Sequence, residues 1–288
     1  MARWPWIAGL AVLAIGAGWV ATRPAPLPAT ALDGITPDAA RGETVFAIAG
    51  CANCHAATDG PREVLSGGRA FASDFGTFHA PNISSDPVHG VGGWTDLELA
   101  SAITRGVSPQ GAHYYPAFPY TSYIKADLQD VADLIAHMRS LPASNSPSLP
   151  HDLRFPYNIR AGLGAWKALY LRDDWVADAP TPELERGRVL VEALGHCAEC
   201  HTPRDALGGL DRSAWMTGAP NPSGEGRIPG ITPTALDWSA QDIAAYLQSG
   251  FTPEFDSAGG SMAEVIHGTA ALSDDDRLAI AAYLKALP

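Results

Sequence analysis

A chain of 288 residues fits a prior of about two domains at roughly 150 residues each. Its 46% hydrophobic residues set aside both wholesale disorder and a polytopic membrane protein, and 29 glycines with 24 prolines point to short elements framed by loops. With 31 acidic against 19 basic side chains the net charge is -12, which argues against nucleic-acid binding and against docking on anionic lipid through a basic face. An acidic exterior favours solubility, or a partner with a basic patch.

The first predicted element is apolar. Residues 4–21 carry no charge and are flanked by Arg3 and Arg23. That length reaches the lower limit for a helix crossing a bilayer and is long for the apolar part of a signal peptide. No clear small-x-small cleavage site follows before Pro24, Pro26 and Pro28. Residues 1–25 are therefore expected to be an uncleaved membrane-spanning anchor, with a cleaved signal as the alternative. Either way the remainder is exported.

Next, Thr36, Pro37 and Asp38 read as N-cap, first-turn proline and first-turn acid of a helix through Arg41 and Gly42. It runs into Cys51-Ala52-Asn53-Cys54-His55. Two cysteines three apart occupy adjacent corners of a helical turn and can form thioethers to the two vinyl groups of one haem. The following histidine then presents its imidazole to the iron. Cys51 and Cys54 are expected to hold one haem c, with His55 as fifth ligand. Thr95 and Glu98 form a capping box for a further helix that stops at Gly106, with Pro109 beyond. Leu128, Val131, Ile135 and Met138 make one apolar stripe, and this unit closes at residue 142.

Residues 143–180 form the connection. It starts rich in Pro, Asn and Ser and then turns aromatic through Phe155, Tyr157, Trp166 and Tyr170, too aromatic for a free tether. It is expected to pack across both neighbouring units and fix their separation.

The second unit, residues 181–288, repeats the first. Thr181, Pro182 and Glu183 open its helix, which passes Arg186 and Gly187 into Cys197-Ala198-Glu199-Cys200-His201. Cys197 and Cys200 are expected to hold a second haem c with His201 on its iron. Ser239 and Asp242 imitate the capping box, Gly250 stops that helix, and Ile280, Leu284 and Leu287 form the last stripe. All four cysteines are used, so no disulfide framework and no spare thiol remain. A zinc site from the two pairs would leave both histidines idle, and a redox C-x-x-C needs a βαβ context that is absent. Without sustained period-2 alternation, strands should be few.

Both units resemble class I c-type cytochrome domains, which implies an all-α fold of two tandem domains (36–142 and 181–288) after the N-terminal membrane-spanning helix. From about Thr36 onward the chain resembles the cytochrome c subunits of bacterial membrane-bound alcohol, gluconate and related dehydrogenases. Ala80-Pro81-Asn82-Ile83, Tyr115-Pro116-Ala117-Phe118-Pro119-Tyr120 and the Phe155 to Trp166 stretch carry this likeness. Such subunits typically have three haem motifs; this chain has two. The resemblance implies electron transfer on the periplasmic side of the bacterial inner membrane, from a dehydrogenase or other donor to an acceptor cytochrome or oxidase of the respiratory chain. It implies no catalytic residue of the chain's own.

The sixth iron ligands differ between the units. Met262 lies between the capped helix and the last one, where cytochromes of this type place their methionine, and is expected to ligate the second haem. Met138 and Met216 read as packing. Pairing Trp94 with Trp238, Gly106 with Gly250 and Pro109 with Pro253 at one offset puts Phe118 opposite Met262. Phenylalanine cannot bind iron. The first haem is left with His113, His79 or an open position. His89, His137, His151, His196 and His267 read as solvated or helix-packing, and Trp94, Tyr114, Tyr115, Trp238 and Phe251 as packing around the haems. Two functions follow: a single-electron carrier or, if the first haem is open, a dihaem enzyme of peroxidase-like or thiosulfate-oxidising type.

Overall fold

The computed structural model describes residues 13, 16–57, 59–222 and 226–288. The expected anchor lies mostly outside these residues, and among the described residues no helix is long and apolar enough to cross a membrane.

The first repeat begins with α1 (Ala39–Ile48), but its cap is not Thr36. Asp38 caps it, accepting from the Ala40 and Arg41 amides, while its own amide donates to Asp133 at 2.6 Å. The cysteine motif forms α2 (Cys51–His55), and α3 (Asp96–Arg105) carries both halves of the Thr95–Glu98 capping box. A short α4 (Tyr120–Tyr123) precedes α5 (Leu128–Ser140), which buries Val131, Ile135 and Met138. Between α2 and α3, β1 (Ala70–Ser73) and β2 (Gly76–His79) form a hairpin, joined on the far side of β2 by β3 (Asp152–Leu153) from the connection.

In the second repeat, α7 (Pro182–Arg188) is capped by Thr181 and continues as a π-helical turn, Val189–Leu194. The motif helix α8 (Ala198–His201) is followed by a two-residue ladder of β4 (Ala219–Pro220) and β5 (Arg227–Ile228). Next come α9 (Ala240–Ser249), with a complete Ser239–Asp242 box, then α10 (Ser261–Ala270) and α11 (Asp274–Ala286). Helix α6 (Gly162–Tyr170) belongs to the connection.

Each repeat is closed by its first helix crossing its last. At the crossings, a Cβ on Gly42 would lie 1.9 Å from the Asp133 carbonyl oxygen, and one on Gly187 2.0 Å from that of Ala279. Only glycine permits so close an approach. Arg41 with Asp133 (2.9 Å) and Arg186 with Asp276 (2.7 Å) pair beside these contacts.

The repeats share one hydrophobic core, which includes Ile48, Ile103 and Ile135 of the first and Leu194, Ile243 and Tyr283 of the second. The packing is reciprocal. Helix α1 lies against α10, where Gly268 meets the Ala47 carbonyl, and α4 lies against the π-helical turn. The connection bonds to both repeats. The Lys167 ammonium donates to the Arg105 and Gly106 carbonyls at 2.7 Å each, while Trp166 donates to Leu207 and Tyr170 to Asp205.

Candidate haem sites

Both motifs are built alike. A tight turn leads out of the first helix of the repeat, and the motif helix then sets its two cysteines and its histidine on adjacent corners. The ring Nδ1 of His55 lies 2.8 Å from the Pro81 carbonyl oxygen, and that of His201 lies 2.7 Å from the Pro229 carbonyl oxygen. A carbonyl only accepts, so Nδ1 carries the proton in each ring and Nε2 holds the lone pair a metal needs. Burial lowers the pKa of both imidazoles, which keeps them neutral. The proline carbonyls are themselves held close. Gly67 and Gly218 donate to the His55 and His201 carbonyls (2.8 Å each) from left-handed backbone. A Cβ on Gly67 would sit 2.5 Å from the Pro81 carbonyl carbon, and one on Gly218 2.7 Å from the Gly230 nitrogen.

The sulfurs fit the same reading. Burial pushes the Cys51 and Cys197 thiols up to about 12, so each sulfur is held as the neutral thiol. A thioether has no such proton to lose. Among the described residues no three His, Cys, Asp or Glu side chains are grouped to hold a metal ion by themselves. The paired cysteines and the Nδ1-protonated histidine of each motif fit an iron brought in by a covalently attached porphyrin.

On the opposite side the repeats diverge. The isolated bridges Val107–His113 and Phe251–Ser257 match one another, so the counterpart of His113 is a serine. His113 is buried, but its Nε2 bonds to the Thr22 carbonyl at 2.9 Å, which commits that nitrogen to the N-terminal segment. His79 lies in β2 with its amide on His151 Nδ1, and its own Nδ1 is buried without a partner. Phe118 packs edge-on to Tyr114, Tyr120 and Tyr123, with centroids 6.0–6.3 Å away. Met262 is half-buried in the first turn of α10 against the shared core. Met216 is fully buried, and Ile231 donates to its carbonyl as Ile83 does to that of the fully buried Leu65. Phe251 is 59% exposed.

Each motif also meets the other repeat. Thr121 and Ser122 of α4 donate to Glu199, and Arg62 joins Asn53 (2.5 Å) to Glu264 (2.7 Å) of α10. Arg204 also pairs with Glu199. His196, read from the sequence as solvated or helix-packing, packs on helices of the other repeat. Its Nε2 lies 3.3 Å from the Ala49 carbonyl and its ring stands edge-on to Tyr123. The repeat held a signal for this, because His196 falls where the first repeat has Gly50.

The chain is similar to known c-type cytochromes. Residues 184–288 match the cytochrome c family. Over 287 residues the chain is 55% identical to a dihaem c-type cytochrome of Cereibacter sphaeroides, covering 98% of this chain and 97% of that protein. It is 38% identical over 273 residues to the fructose dehydrogenase cytochrome subunit of Gluconobacter japonicus, covering 91% of this chain. It is 33% identical over 266 residues to the cytochrome c subunit of a quinone alcohol dehydrogenase of Gluconobacter oxydans, covering 86% of this chain. The chain spans about half of each of these two subunits, 54% of their length.

Proposed function

Because the chain belongs to the dihaem c-type cytochromes, we propose that it is a single-electron carrier that takes electrons from a dehydrogenase and delivers them to an acceptor cytochrome or oxidase. Cys51 and Cys54 attach one haem and Cys197 and Cys200 the other, with His55 and His201 as proximal ligands. When bound, each haem iron alternates between Fe(II) and Fe(III), accepting and releasing one electron. The observation that carries this reading is the duplicated bond from Nδ1 to a proline carbonyl, which orients each imidazole as an iron ligand. The dehydrogenase partnership rests on the relatives named as dehydrogenase subunits. Residues 1–25 would hold the chain on the periplasmic side of the inner membrane.

Met262 would hold the iron of the second haem in this reading, where its soft sulfur would favour Fe(II) and raise the potential. The first repeat has Phe118 at that place; were its sixth ligand a histidine instead, the first haem would sit at the lower potential and would receive electrons before the second. The test is haem stoichiometry in matured protein: two covalent haems per chain, and one in Cys51→Ala/Cys54→Ala. A colourless wild-type protein would end the proposal.

One observation favours a second reading, an enzyme with an open first haem. Phe118 offers no ligand and the His113 Nε2 is engaged by Thr22. Rapid binding of carbon monoxide or cyanide, together with peroxide turnover, would select it over the carrier.

A further inference from the structure

Gly50 and His196 occupy one position of the repeat, immediately before the first cysteine of each motif, and both have left-handed backbone, at φ +62° and +40°. Glycine adopts that conformation freely; a histidine does so against steric resistance from its Cβ. The second repeat keeps a strained residue where the first shows that glycine serves.

What the histidine adds is a reach across the molecule. Its Nε2 donates to the Ala49 carbonyl oxygen at 3.3 Å, two residues before Cys51. The Tyr123 hydroxyl donates to the same oxygen at 2.9 Å, and the His196 and Tyr123 rings meet edge to face at 5.6 Å. One carbonyl before the first motif therefore takes two hydrogen bonds, one of them from the residue next to Cys197. Ile48, also at the end of α1, lies close to Gly195 as well: a Cβ there would be 3.4 Å from Ile48 Cδ1. This is where the lead-in turns of the two motifs touch.

We propose that His196 is a positioning residue for electron exchange between the two haems: its bond to Ala49, braced by Tyr123, fixes the two motifs relative to each other and provides a hydrogen-bonded route between them. The inference rests on the reading of the chain as a two-haem carrier. One electron leaves a ferrous iron, which becomes ferric, and reduces the other iron from ferric to ferrous. No proton is transferred, because His196 and Tyr123 keep their hydrogens on nitrogen and oxygen throughout.

The experiment uses the matured full-length protein. One electron is injected by pulse radiolysis and its redistribution between the haems is followed optically. The ferric EPR spectrum reports each iron's ligands. His196→Gly is expected to attach both haems with unchanged ligand spectra, since the first repeat already carries glycine there, and to equilibrate them severalfold more slowly. His196→Asn, which tolerates left-handed backbone but is too short to reach Ala49, should slow exchange likewise. Tyr123→Phe removes only one of the two bonds and should slow it less. Exchange at the wild-type rate in both His196 variants, with two haems present, would overturn the proposal. Wild-type protein with fewer than two haems would overturn it together with the carrier reading.

Discussion

The two repeats agree closely around His55 and His201 and part company past their capped helices. Gly42 and Gly187 admit the same helix crossing, Gly67 and Gly218 hold the same loop, and Pro81 and Pro229 orient the same imidazole. Past the capped helices, the first repeat presents Phe118 and one turn of helix, whereas the second presents Met262 at the start of the ten-residue α10. The lesson is that the scaffold repeats where it holds each C-x-x-C-H histidine and varies past the capped helices.

The strongest attack on this comparison is to make the repeats alike. Phe118→Met should raise the potential of the first haem towards that of the second. Met262→Ala should lower the second, each by a sizeable part of the roughly 0.8 V over which axial ligands tune haem. A redox titration that resolves both centres reads the change, and two potentials indifferent to both substitutions would break the asymmetry.

A smaller effect sharpens the shared part. Gly42→Ala and Gly187→Ala place a methyl about 2 Å from a backbone oxygen, and each should cost about 3 kcal/mol or more in denaturant unfolding. Similar losses at both would show that the crossings are equivalent. Smaller again, Thr95→Ala and Ser239→Ala each remove a complete capping box and should cost about 1 kcal/mol.

The least effect is on pH dependence. The Thr95 amide and hydroxyl hold the Glu98 carboxyl below its ordinary value. Its contribution is therefore complete above the unfolded carboxylate range and is lost as pH falls through the lower folded value. The acid limb of wild-type stability should be slightly steeper than that of Glu98→Gln.

Much of this was legible in the residues. The two C-x-x-C-H motifs, both capping boxes and the glycine stops at 106 and 250 are local signals, and local geometry honours them. The failures were of another kind. Thr36 and Thr181 looked equivalent, yet the short side chain of Asp38 bonds the first-turn amides directly and Asp133 engages its backbone, while the longer Glu183 leaves the task to Thr181. The strands have two to four residues, too short for alternation to register. Helix α10 was hidden behind Gly259 and Gly260, and its fit against Ala47 depends on a contact between repeats. His196 needed both a backbone angle and a partner far away in sequence.

The reciprocal packing of α1 on α10 and of α4 on the π-helical turn also bears on how the molecule is made and inherited. The half synthesised first cannot cover its own oily surface until nearly the last ribosomal codons have been read. A nonsense mutation after residue 142 should therefore yield an unfinished fragment and not a small one-haem protein. If the repeats arose by gene duplication, their later entanglement has made separation into two working genes hard to reverse.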